Sequence, residues 1–159
     1  MKRINSTTGL EVVVSPGLIN NMAMLGQFHY PSEFGGLLIG RYINENRTAL
    51  IEKIITPVRY QSSRNSFERE TTGLHGQLEN YYNQEPKLSY VGEWHTHPDN
   101  YAVPSSLDLK AIHEIVQHKR VFIENPVLMI FNITPSTHSY RIYFFHQNKL
   151  IEYDQEEGS

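Results

Sequence analysis

Apolar residues along the chain follow two periods, and the switches between them outline the fold. Glu11–Ser15 carries the run Val12-Val13-Val14 and reads as a short strand. Ser15-Pro16 then opens a helix, with serine as the cap and proline at the first helical position. Leu18, Met22 and Leu25 recur at helical spacing, and Pro31 closes the segment. Phe34–Ile43 and Thr48–Val58 read as a strand pair turning at Asn44-Glu45-Asn46, with Gly35-Gly36 permitting close backbone approach. Residues 59–69 are polar and without a period, which predicts a loop. Leu74, Leu78, Tyr81 and Tyr82 predict a helix over about residues 70–83, weakened by Gly73 and Gly76. Leu88–His97 predicts a strand and Ser105–Lys119 a helix. Val127–Thr134 and Ser139–His146 read as strands parted by a turn at Pro135-Ser136, and Lys149–Tyr153 as a short edge strand. The order β-α-β-β-α-β-α-β-β points to an α/β fold, a mixed sheet with helices packed on it.

Composition narrows the chemistry. The chain has 159 residues, which fits one domain able to bury a sizeable core. It has no cysteine, so thiolate nucleophiles and sulfur-ligated metals are excluded, and any metal must be held by His and carboxylate. With 14 Lys+Arg against 17 Asp+Glu the net charge is −3, and no basic face for nucleic acid is legible. Apolar runs such as Val127–Phe131 are far too short to span a bilayer. The Met-Lys-Arg start lacks a secretory apolar region, so the expected compartment is the cytoplasm.

One segment concentrates chemistry-bearing residues. His95 and His97 lie two apart at the end of a strand, so their side chains share a face with Cα atoms roughly 6.5–7 Å apart. Pro98 ends the strand's hydrogen-bond ladder. At 100° per residue, Asp108 in the next helix falls on the apolar stripe of Ile112 and Ile115, where a carboxylate needs a partner. Two His and one Asp make a three-ligand site with a fourth position open, as expected of a catalytic zinc. Glu33, just before the Phe34-Gly35-Gly36 strand, is the candidate proton carrier, and Ser105 the candidate donor to an oxyanion. Two rival readings stand beside these. Ser105-Ser106-Leu107-Asp108 has the shape of a helix capping box. Glu93, on the same strand face as the histidines, is a competing acid or a group that orients an imidazole. Trp94, between them, is expected in the core. His29, His75, His113, His118, His138 and His146 have no matching geometry.

These residues closely resemble the JAB/MPN metalloprotease (JAMM) family. The family pattern is an upstream Glu, then His-[Ser/Thr]-His-Pro, six residues, Ser, two residues, Asp. Here it reads Glu33, His95-Thr96-His97-Pro98, Ser105 and Asp108 with unbroken spacing, and Glu33-Phe34-Gly35-Gly36-Leu37-Leu38-Ile39-Gly40 resembles the family's Glu-x-Gly-Gly-x-Leu-x-Gly strand. The resemblance implies a single-domain JAB/MPN fold over residues 1–153 with a flexible acidic tail at 154–159. It implies a Zn2+ hydrolase with His95, His97 and Asp108 as metal ligands, Glu33 as base and then acid, and Ser105 stabilising the tetrahedral intermediate. The bond that the resemblance implies is cut is an isopeptide or peptide bond after a ubiquitin-like C-terminal tail. In this family the stretch equivalent to residues 59–69 can pair with that tail as an added strand.

Ser66-Phe67-Glu68-Arg69-Glu70-Thr71-Thr72-Gly73 followed by Tyr90–Pro98 is similar to stand-alone bacterial JAB proteins of CBASS anti-phage operons. Those operons also encode a nucleotidyltransferase (CD-NTase) and an activating/conjugating-like enzyme, which are the partners implied. There the JAB protein removes the CD-NTase from its conjugates. Service in another bacterial ubiquitin-like operon, or a non-catalytic MPN scaffold, are the alternatives. A zinc deaminase would need a Cys pair that is absent.

Overall fold

A computed structural model describes residues 1–118, 123 and 125–157. Among these the elements are β1 (Lys2–Ile4), β2 (Glu11–Val14), α1 (Pro16–His29), β3 (Gly35–Ile43), β4 (Thr48–Ile55), β5 (Tyr60–Ser63), β6 (Ser66–Arg69), α2 (Leu74–Tyr82), β7 (Ser89–Pro98), α3 (Ser106–Gln117), β8 (Val127–Ile133), β9 (His138–His146), β10 (Lys149–Glu152) and β11 (Gln155–Glu156). Nine strands form one mixed sheet in the order β10-β9-β8-β7-β3-β4-β2-β1-β11, a single-domain α/β fold as expected. The pairs β7–β8 and β2–β4 are parallel and the remainder antiparallel. No helix among the described residues is long and apolar enough to cross a membrane.

The two faces of β7 set the layout. Trp94 and Thr96 turn to one face, where α1 packs through Ile19, Met22, Ala23 and Gly26. The α1 stripe is displaced from the expected Leu18, Met22 and Leu25. Gly26 carries no apolar signal, yet a Cβ there would come within 2.6 Å of Thr96 Cγ2, so its smallness lets the helix approach. Glu93, His95 and His97 turn to the opposite face. There α3 lies on Leu128, Ile130, Tyr143 and Phe145 through Ile112, with Leu109, Ile115 and Val116 at its margin.

Residues 59–69, expected as a loop, instead form the hairpin β5–β6, a two-stranded sheet of its own. The Asp154–Ser159 tail, expected to fray, is held over its described part. Gln155–Glu156 pair with β1, Ser6 donates to Asp154 through its N–H at 2.8 Å and through its hydroxyl, and Lys2 meets Glu157 at 3.1 Å. Gly158 and Ser159 lie outside the described residues, as does Lys119, the expected end of α3. The second helix starts at Leu74 rather than near residue 70 because Gly73, at φ 82°, adopts the left-handed region.

Gly35 and Gly36 allow the close approach that the sequence anticipates. A Cβ on Gly35 would lie 2.3 Å from the Trp94 carbonyl oxygen and 2.8 Å from His95 Cβ. Gly35→Ala is therefore expected to push β3 off β7, destabilising the fold by about 1–3 kcal/mol. A fall in the urea midpoint with unchanged m-value checks this, and an unchanged midpoint contradicts it.

Candidate metal centre

Strand alternation and one helix turn bring three donors together. His95 and His97 leave β7 on the same face, and the helix that follows Pro98 through a short loop returns Asp108 to them. His95 Nε2 is 3.0 Å from His97 Nε2 and 3.1 Å from Asp108 Oδ1, while Asp108 Oδ2 is 3.8 Å from His97 Nε2. All three side chains are largely buried.

His97 Nδ1 lies 3.0 Å from the Tyr101 carbonyl oxygen, which can only accept. Nδ1 therefore carries the proton and Nε2 turns a lone pair into the cluster. Burial pushes the His97 imidazolium down, and His95 adds to this, favouring the neutral ring that a metal requires. Two imidazole nitrogens and a carboxylate oxygen facing one point form a donor set for a cation. Their spacing is close to the roughly 3.3 Å between ligands of a tetrahedral zinc. His95, His97 and Asp108 thus fit a divalent ion held by nitrogen and oxygen.

The rival reading of Asp108 holds at the same time. Ser105 Oγ accepts from the Asp108 N–H at 3.2 Å, and Asp108 Oδ2 accepts from the Ser105 N–H at 2.6 Å, a complete capping box. Oδ1 faces the His95 imidazole, while Oδ2 caps the helix and stands 3.8 Å from His97 Nε2. Burial raises the Asp108 carboxyl, but His95 and the two Ser105 bonds outweigh it and hold the group well below the usual carboxylate range.

Glu33 arrives from the other side. Gly35 pairs with His95. The ladder continues as the Phe34 N–H donates to Thr96 Oγ1 at 2.9 Å and the Thr96 N–H donates to the Phe34 carbonyl at 2.8 Å. One residue before Phe34 stands Glu33, whose own backbone bonds go to β5 rather than to β7. Burial pushes its carboxyl up to about 7, with His95 opposing and the Asp108 charge assisting the rise.

Glu93 does not orient an imidazole. Its carboxylate is gripped by Arg69 of β6, with Nη1 donating to Oε2 at 3.0 Å and Nη2 donating to Oε1, and the Tyr90 hydroxyl adds a bond at 3.4 Å. Neither Arg69 nor the Arg64–Asp99 pair at 2.7 Å emerged from the sequence as part of this region. The weak signal for Arg69 is the period-two placing of Phe67 and Arg69, both half-buried, inside a polar stretch. A groove of about 370 Å³ lies between Arg69 and Glu93 on one wall and Ala111, Glu114 and Ile115 of α3, with His118 just past its end, on the other. Trp94 is buried on the far face, as expected.

Comparison with known proteins places the chain among relatives. Two curated proteins named CD-NTase/cGAS isopeptidase are similar. One, from Enterobacter hormaechei subsp. hoffmannii, is 31% identical over 126 residues, covering 79% of this chain and 69% of that protein. The other, from Escherichia coli, is 32% identical over 104 residues, covering 63% of this chain and 65% of that protein. The chain thus spans about two thirds of the length of these relatives. Solution structures of a protein from Desulfitobacterium hafniense (TM-score 0.60, 17% identity, 89% of this chain and 88% of that one) and of one from Salinibacter ruber (TM-score 0.53, 16% identity, 84% and 86%) share the fold. Residues 15–143 match Prok-JAB, the prokaryotic homologs of the JAB domain, and the chain belongs to that family.

Proposed function

We propose that this protein is a zinc-dependent JAMM-type isopeptidase that cleaves a CD-NTase from its conjugates at the CD-NTase C-terminus, within a CBASS antiviral system in the cytoplasm. The observation that carries the reading is the clustering of His95 Nε2, His97 Nε2 and the Asp108 carboxylate, with the half-buried Glu33 carboxyl on the same face of the sheet. The two isopeptidase-named relatives support the substrate class.

A zinc ion bound by His95, His97 and Asp108 would acidify a water molecule and polarise the scissile carbonyl. Glu33 takes the attacking water's proton and returns it to the leaving amine. Burial suits it to both tasks, because a carboxyl near 7 accepts and releases a proton at neutral pH. Ser105 accepts the Asp108 N–H through its oxygen, and its O–H, which lies by the Asp108 carboxylate, would turn to donate to the oxyanion. The groove between Arg69 and α3 would receive the extended tail, with β6 offering an edge for strand addition.

Protein purified without added chelator is expected to carry one zinc per chain by elemental analysis. It should cleave a CD-NTase fused through its C-terminus to a reporter protein, lose that activity to a chelator and regain it with zinc. Metal-free protein that binds the CD-NTase tightly without cleaving it would favour a scaffold. Cleavage only of a ubiquitin-like fusion would move the assignment to another operon.

A further inference from the structure

An isolated two-stranded hairpin is at best marginally stable in water, so β5–β6 depends on what anchors it. Tyr60 and Phe67 meet the buried Phe34 at angles of 71° and 64°. Arg64 reaches Asp99 from the hairpin tip, but this pair is largely solvent-exposed and contributes little. The strong contact lies at the other end, where Arg69 forms its forked ion pair with Glu93, both side chains mostly buried. Glu93 stands two residues before His95 on β7, on the same strand face.

The hairpin in turn holds Glu33. The Ser63 carbonyl of β5 accepts the Glu33 N–H at 2.7 Å, and the Ser62 hydroxyl donates to the Glu33 carbonyl at 2.6 Å. Both backbone polar groups of Glu33 are therefore committed to β5. A chain of direct contacts runs from β7 through Glu93 and Arg69 to β6, across the hairpin ladder to β5, and back to Glu33 beside the imidazoles.

We propose that Arg69 and Glu93 are positioning residues for Glu33. Their ion pair fixes the hairpin against the strand that carries His95 and His97, and the hairpin fixes Glu33 over the same cluster. The planar guanidinium fork sets distance and orientation together, which a lysine cannot reproduce. The proposal rests on the reading of Glu33 as the proton carrier.

Two measurements test it. In the metal-free protein, Arg69→Met is expected to speed hydrogen exchange of the Glu33 amide by at least about tenfold while the amides of the β3–β4 ladder stay protected. In the zinc-loaded protein, Arg69→Met is expected to lower kcat about tenfold at saturating substrate, while any change in KM reports the separate place of Arg69 on the groove wall. In a Glu33→Asp background, where the carboxylate is already displaced, the same change should cost less than about twofold. Glu93→Gln, which keeps volume and one acceptor, serves as the second variant should Arg69→Met not fold, and Arg69→Lys should rescue only in part. A Glu33 amide as protected as in the wild type, or costs that multiply in the double variant, overturns the proposal. Full cleavage by Glu33→Ala would instead refute the role of Glu33 itself, and the exchange measurement would still report whether the anchor exists.

Discussion

Glu33→Gln should keep zinc at wild-type stoichiometry and cleave about 10²–10⁴-fold more slowly, the usual contribution of a positioned proton carrier. The amide has the carboxyl's shape but cannot accept the water's proton. Because Glu33 is not one of the three converging donors, metal content should not follow activity down. The same substitution should stabilise the metal-free protein. The Glu33 carboxyl is raised in the folded state from 4.5 to about 7, so the folded chain holds a proton that the unfolded chain has released. Its contribution to stability is therefore lost as pH rises from about 4.5 through about 7. Discounted for solvent screening of a half-exposed group, the gain on replacing it is about 1 kcal/mol above pH 7 and near zero at pH 4. Urea midpoints in chelator at both pH values check this. Normal cleavage by Glu33→Gln, or zinc lost with activity, would reject the assignment.

His95→Ala should lose zinc and cleavage together. His95 Nε2 faces both His97 Nε2 and Asp108 Oδ1, so its removal leaves two donors where a catalytic zinc needs three. It is a cleaner test than replacing Asp108, whose second oxygen caps α3. The His95 ring, although largely buried, stands at the end of β7 and belongs to no cap, so secondary structure should survive by circular dichroism. Elemental analysis paired with the cleavage assay decides the matter. A variant that retains one zinc per chain and full turnover is incompatible with the proposed centre.

How much of this was legible depended on whether the information was local. His95 and His97 obey the two-residue period of a strand, and Asp108 sits on a helix stripe where a carboxylate demands a partner, so both patterns are written within a few residues. Gly35 and Gly36 announced a close backbone approach, and the structure identifies its objects as the Trp94 carbonyl and His95 for Gly35 and the Ile55 carbonyl for Gly36. The hairpin β5–β6 left only a weak trace, Phe67 and Arg69 two apart in a mostly polar stretch. Its anchors are remote in sequence: Phe34 beneath Tyr60 and Phe67, and Glu93, 24 residues from Arg69. The same distance problem hid the short edges: β1 and β11 pair residues from opposite ends of the chain. Glu93 was read on the right face, but a strand period cannot tell which neighbour claims a carboxylate.

The alternation along β7 has one practical consequence. Trp94, the sole tryptophan, is 1% exposed and sits between the two imidazole-bearing positions while pointing away from them. Its indole packs at 5.9 Å from Phe34, the neighbour of Glu33, and at 6.1 Å from Phe131. The molecule therefore contains a built-in optical reporter. Emission from this one fluorophore follows the integrity of the strand bearing both rings, without label and without contact with the reacting atoms.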